Sequence, residues 1–202
     1  MKVIMLNLGP LRVNSYLVIN EETKEAFIVD PGGDADKVYE VLKEEDASLK
    51  AILLTHVHYD HTGAVNTLKK ELKPLIYVSA EEGNVMADIA YSLNGDVDEA
   101  DVYFRDGDIL EVAGINVKAI LTPGHTIGGA CFYIEEENLL FAGDTLFAGS
   151  VGRSDFPGGS ESKLIRAIKE KLLILPEDTK VLPGHMSATT IGYEKIHNPF
   201  VQ

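Results

Sequence analysis

Four side chains able to bind a metal fall within six consecutive residues, His56, His58, Asp60 and His61, directly behind the apolar run Ala51-Ile52-Leu53-Leu54. That run reads as a buried strand. Thr62-Gly63-Ala64-Val65, which follows, reads as the start of a helix. Any fold open to this chain must therefore contain a strand-to-helix crossover whose loop turns several polar side chains toward one point. Imidazoles and a carboxylate packed so closely repel or strand one another unless something binds them. Such donors suit divalent zinc, iron or manganese. A scatter of surface histidines is a poor alternative, because the chain has six histidines and half fall here. The helical H-E-x-x-H pattern of zinc proteases is absent. The i, i+2 pair His56 and His58 suits extended backbone, where alternate residues point the same way.

Three further polar residues share one local grammar. His125, Asp144 and His185 each stand just past an apolar stretch, with glycine immediately before them: Pro123-Gly124-His125, Gly143-Asp144 and Pro183-Gly184-His185. Sharp turns at strand ends are where sites collect in layered α/β folds. Five histidines and two aspartates exceed the four ligands of one tetrahedral zinc. They match two divalent metal ions sharing a bridging carboxylate. His56, His58 and His125 are expected to hold one ion, Asp60, His61 and His185 the other, and Asp144 to bridge.

The rest of the chain supplies the frame. Val3 to Leu6, Ser15 to Ile19 and Ala26 to Val29 read as strands, the last two as a hairpin around the polar turn Asn20 to Lys24. Asp34 or Asp36 caps a helix with Val38, Val41 and Leu42 on its apolar face. Val65, Leu68 and Leu72 mark a second helix, stopped by Pro74, and Leu75 to Val78 another strand. Ala80 to Leu93 reads as a helix with Val85, Ile89 and Leu93 on one face, followed by an acidic loop to Asp101. Strands are expected at 102–104, 109–112, 115–121, 131–134 and 139–142. A glycine-rich loop follows from Gly149 to Ser160, then a helix carrying Leu164, Ile165, Ile168 and Leu172. A strand from Lys180 to Leu182 and a short helix stopped at Pro199 end the chain. Each half is strand-rich first and mixed afterwards. The implied class is α/β, a four-layer αβ/βα sandwich of two mixed sheets face to face with helices outside, formed by a single domain over 1–202.

Composition excludes several function classes. The net charge of −14 opposes nucleic acid, which needs a basic face, and an anionic membrane surface. No apolar run approaches the ~20 residues needed to span a bilayer. Met1 to Leu6 is too short for a secretory signal, so a cytoplasmic location is expected. The single cysteine, Cys131, cannot form an intramolecular disulfide and lies in an apolar run as a core thiol. His197 has no ligand neighbours. Gly32-Gly33 and Gly158-Gly159 lack phosphate-loop spacing.

The motif H-x-H-x-D-H, then His125, Asp144 and His185 in that order, resembles the metallo-β-lactamase fold superfamily over nearly the whole chain. Asp144 matches the bridging aspartate of its hydrolases, where the β-lactamases commonly use cysteine, which counts against antibiotic hydrolysis. Asn14-Ser15-Tyr16, Asp30-Pro31-Gly32, Thr122-Pro123-Gly124-His125-Thr126, Phe141-Ala142-Gly143-Asp144-Thr145-Leu146-Phe147 and Leu182-Pro183-Gly184-His185 are similar to glyoxalase II, the thioesterase of hydroxyacylglutathione. Read to residue 202, the chain is expected to do without that family's C-terminal helical domain. Its loop Gly152-Arg153-Ser154-Asp155-Phe156 looks closer to short glyoxalase II-like proteins and to persulfide dioxygenases.

The resemblance implies a metallohydrolase that cleaves a small thioester such as S-lactoylglutathione, with a hydroxide bridging two ions, zinc first and iron or manganese as alternatives. Asp60 would ligate and orient the nucleophile. Arg153 is a candidate for a substrate carboxylate, with an ion pair to Asp155 as its competing role. Tyr59 is a candidate contact with packing behind the ligands as its competing role. The rival is a persulfide dioxygenase with one iron on His56, His125 and Asp144, acting on glutathione persulfide.

Overall fold

The computed structural model describes every residue except 87, 89–92, 94 and 96. Its first sheet runs in the order β1 (Lys2–Leu8), β2 (Val13–Ile19), β3 (Glu25–Val29), β4 (Ser48–Leu53), β5 (Leu75–Ser79) and β6 (Val102–Phe104). β2 is buried along its whole length. Its near-continuous apolar run is what a strand covered on both faces requires. The β2–β3 hairpin closes around Asn20, whose side-chain oxygen accepts from the backbone N–H of Glu22 at 3.1 Å. From β3 onward the pairs are parallel. Parallel neighbours need crossovers, supplied by α1 (Ala35–Glu44), by α2 (Tyr59–Thr62) with α3 (Val65–Leu72), and by the segment that opens with α4 (Ala80–Gly83).

The second sheet runs in the order β14 (Thr189–Thr190), β13 (Lys180–Pro183), β10 (Leu139–Gly143), β9 (Ala130–Ile134), β8 (Ile115–Leu121) and β7 (Ile109–Val112). Only β10 and β13 pair in parallel. Their crossover carries α5 (Glu161–Ala167), which continues through a π-helical stretch, Ile168–Leu172. β11 (Leu146–Phe147) and β12 (Ser150–Val151) form a small separate ribbon, and α6 (Ile191–His197) follows β14. β8 and β10 both lie antiparallel to β9, so they point the same way as β13.

Three apolar clusters hold the four layers. Val18, Phe27 and Leu53 of the first sheet meet Val117, Phe132 and Phe141 of the second in the central layer. The outer face of the first sheet packs on Val38 and Leu42 of α1 and on Val65 and Leu68 of α3. These i, i+4 and i, i+3 pairs give each helix one buried stripe. Leu164, Ile168 and Leu172 cover the outer face of the second sheet. Two backbone bonds tie the sheets at the site edge: Ala130 N to Thr55 O at 2.8 Å and Asn14 N to Gly184 O at 2.7 Å.

The strands expected from the sequence are present, with ends shifted by at most three residues, the largest shift being the start of β4 at Ser48. Three local features differ. Asp34 precedes α1 but does not cap it: its carboxylate accepts from Lys37 Nζ at 2.7 Å and Gly9 N at 3.2 Å instead. The expected helix from Ala80 to Leu93 is helical only to Gly83 among the described residues, and Ile89 lies outside them. Leu72 is 39% exposed at the end of α3. The ribbon β11–β12 and strand β14, two residues each, are too short to show as periodicity.

Candidate metal centre

All seven residues singled out by the sequence converge on one edge of the sandwich, past the C-terminal ends of β4, β8, β10 and β13. His58 immediately precedes α2, whose first turn carries Asp60 and His61. The crossover expected from the sequence thus already contains a helical turn, which swings His61 back beneath His56, with ring centroids 4.1 Å apart. Gly143, with φ +47°, brings the end of β10 against the side chain of Thr55. A side chain there would be strained and would collide.

Among the described residues the ligand-type atoms form three close groups, two of them the expected triads and the third Asp30 with His56 and His61. One atom each from His56, His58 and His125 lie within 4.8 Å of one another, as do one each from Asp60, His61 and His185. Asp144 stands between them. Its Oδ1 is 3.4 Å from His61 Nε2, and its Oδ2 is 3.7 Å from His125 Nε2 and 3.8 Å from His185 Nε2. His58 Nδ1 and His125 Nε2 are 3.0 Å apart, and His185 Nε2 and Asp60 Oδ2 3.2 Å. Nitrogen ligands of a tetrahedral zinc, at bond lengths near 2.1 Å, stand roughly 3.4 Å from one another.

The outward bonds of the rings settle which nitrogen faces the cleft. Arg153 O accepts from His125 Nδ1 at 2.7 Å, and a carbonyl can only accept. The Asp30 carboxylate accepts from His61 Nδ1 at 2.9 Å. It also accepts from Thr55 Oγ1 at 2.6 Å, which leaves that hydroxyl free to accept from His56 Nδ1 at 3.0 Å. With Nδ1 protonated, neutral rings present a lone pair at Nε2. His56 Nε2, His61 Nε2 and Asp144 Oδ1 are buried without a hydrogen-bond partner. Orphans of this kind cost about 1–3 kcal/mol each. Three of them, aimed at one place among nitrogen and carboxylate donors, fit a site for divalent metal.

The titrations divide the same way. Burial, reinforced by neighbouring imidazoles, drives His56 well below its ordinary pKa and His58 to about 4. Burial also lowers His125. Burial opposes charge on His61, but Asp144 and Asp30 outweigh it and hold the ring well above its ordinary value. The hydrogen bond to Asp60 raises His185. Burial works against ionised Asp144, yet His61 and its neighbours bring it down to about 2.

A cleft of about 320 Å³ opens over these residues, walled by Leu11, Tyr59, Leu93, Arg153 and Phe156. Tyr59 is 46% exposed at its mouth. Arg153 makes a two-pronged pair with Asp155, Nε to Oδ1 and Nη2 to Oδ2 both at 2.7 Å, and lies 4.0 Å above the Phe156 ring. Its loop-shaping role is therefore the one seen. Sequence reasoning missed Asp30 as the residue that orients two imidazoles. Its signal was an aspartate directly after the apolar run of β3 and before Pro31-Gly32.

The model of the metallo-beta-lactamase superfamily matches residues 8–185. The chain belongs to that superfamily. Within it, a hydroxyacylglutathione hydrolase, GloC, of Haemophilus influenzae is 38% identical, over 100% of this chain and 98% of that protein. A probable metallo-hydrolase, YqgX, of Bacillus subtilis is 34% identical, over the same shares of the two chains. Among solved superfamily structures, the B3 metallo-beta-lactamase BLEG-1 superposes with a TM-score of 0.93 at 37% identity, covering 100% of both chains. ETHE1 from Myxococcus xanthus gives 0.86 at 29%, covering 98% of this chain and 84% of that one. TTHA1623 in a di-iron-bound form gives 0.86 at 37%, covering 98% and 100%. No helix among the described residues is long and apolar enough to cross a membrane.

Proposed function

We propose that this chain is a single-domain dinuclear metallohydrolase acting on a small thioester of the hydroxyacylglutathione type. The observation that carries the reading is the pair of three-ligand clusters on either side of Asp144. Likeness to GloC supports the choice of a thioester. His56, His58 and His125 would hold one divalent ion, Asp60, His61 and His185 the other, and Asp144 would face both. Bound there, two such ions supply a water acidified toward neutrality and a Lewis acid for the acyl carbonyl.

The chain's own residues do the rest. Asp30 and the Arg153 carbonyl fix the tautomers of His61 and His125, and Asp30 acts on His56 through Thr55. Asp60, lowered below the ordinary carboxylate range by its bond to His185 against the effect of burial, stays ionised and can orient the attacking water. Leu11, Leu93 and Phe156 would line the space beside the acyl group. A thiolate leaves with an intrinsic pKa near ~8.5, so no dedicated general acid is needed. Arg153 is held by an exposed pair, which water weakens, and an anionic carrier can compete with Asp155 for it.

The deciding experiment joins metal analysis of the purified protein to assays with S-lactoylglutathione, a cephalosporin and glutathione persulfide. Two metal ions per chain with thioester turnover is the expected result. One iron per chain with oxygen uptake on the persulfide would replace the hydrolase by an oxidoreductase. Turnover of the cephalosporin alone would move the substrate to a cyclic amide.

A further inference from the structure

Glu82 is a buried carboxylate that the reaction does not use. It is 1% exposed, and burial raises its pKa. Ser79-Ala80-Glu81-Glu82 has the sequence of a capping box, in which the serine accepts from the N–H three residues on and the glutamate reaches back to the N–H of the cap. The first half of that exchange is made: Ser79 Oγ accepts from Glu82 N at 3.1 Å. The second half is diverted. Glu82 Oε2 accepts from Val57 N at 3.2 Å, and Oε1 accepts from Gly128 N at 2.7 Å. Val57 lies between His56 and His58, and Gly128 lies three residues past His125. Ser79 Oγ also donates to Gly128 O at 2.7 Å. One helix turn on the first sheet therefore grips both polar groups of Gly128 on the second. The approach leaves no room for a side chain: a Cβ on Gly128 would lie 2.6 Å from Glu82 N.

We infer that Glu82 is a positioning residue, which sets the spacing of His56 and His58 against His125 by clamping the two loops that carry them. The inference rests on the reading of the two triads as metal sites and adds a determinant outside both. Its effect is confined to one triad, because Asp60, His61 and His185 are held by other contacts. Asp30 bonds to His61, and Asn14 Nδ2 and Tyr16 Oη donate to Pro183 O, beside the loop of His185, at 3.1 and 2.8 Å.

The test is cobalt(II) binding against a competing chelator, with Glu82→Gln introduced into two backgrounds. His185→Ala leaves the His56, His58 and His125 triad to be read alone, and His58→Ala leaves the other. Gln keeps one acceptor and turns an NH₂ toward a backbone N–H. The affinity of the first triad is expected to fall 10- to 100-fold, the range seen when a ligand's support is removed, and that of the second to stay within about twofold. Equal losses at both triads would show a general structural role and overturn the inference, as would no loss at either. Should Glu82→Gln fail to fold, Gly128→Ala pushes the His125 loop off the same turn and must give the same one-sided loss. A parent chain that takes only one cobalt ion fails the two-metal reading. The Glu82 inference then requires weaker binding of that ion in Glu82→Gln if His58→Ala abolishes it, and unchanged binding if His58→Ala leaves it; the opposite result in either case overturns it.

Discussion

At the scale of the residue, five histidines that look alike in the sequence divide into two chemical kinds. His56, His58 and His125 are held neutral by burial, whereas His61 and His185 are pushed toward the charged form by Asp144, Asp30 and Asp60. A proton competes with a metal for the same lone pair. A raised pKa means that the proton is held to higher pH, so the triad of Asp60, His61 and His185 releases protons when it loads near neutrality. It is also the first to empty as pH falls. The triad containing His58 should keep its ion toward pH 4. Metal content followed by equilibrium dialysis from pH 7.5 downward should show two steps, and His58→Ala should remove the more acidic one. Loss of both ions in a single step, or survival of the wrong one, contradicts the assignment. The seven candidate ligands that the fold brings together were legible because donor type and the preceding glycines are local features. Asp30, Thr55 and Glu82 were not, because each acts on a residue that is distant in sequence or on a backbone N–H. A buried carboxylate's partners are fixed only when the sheets stack.

Elements place these side chains through their ends. The turn after β13 is one such case. A Cβ on Gly184 would lie 2.6 Å from Asp144 Oδ1 and 2.7 Å from His61 Cε1. Gly184 N also donates to Gly143 O at 2.8 Å, so the turn cannot retreat without losing that bond. Gly184→Ala is therefore expected to weaken metal binding at Asp60, His61 and His185 by tenfold or more. It should lower turnover far more than it lowers the melting temperature of the metal-free protein. Calorimetry beside a metal titration checks this, and a variant with unchanged affinity would show that the loop yields freely. The long strands were readable from their apolar runs, and α1 and α3 from their 3.6-residue stripes. The diversion of Glu82 from its capping box could not be read, because an isolated helix would have completed the box.

For the whole molecule, the two-metal reading makes folding and metal binding one equilibrium. Each ion at a concentration 100 times its dissociation constant stabilises the folded chain by about 2.7 kcal/mol. For a chain of this length that is roughly 5–10 °C in melting temperature. Removing both ions with a chelator should lower the midpoint by at least that much, less whatever His56, His58, Asp60 and His61 retain as neighbours in the unfolded chain. No shift would mean that the metals do not bridge the two sheets. The layered architecture itself was visible in the two strand-rich halves, because each sheet is built from one continuous half of the chain. β1 to β6 end at Phe104, and β7 begins at Ile109. That division gives the centre a direction in time. A ribosome delivers His56, His58, Asp60 and His61 first, two ligands for each triad and a complete set for neither. His125 then completes one triad, Asp144 follows, and His185 closes the other. On the two-metal reading, the first half alone is an open chelator, and the second sheet decides how its ions are paired.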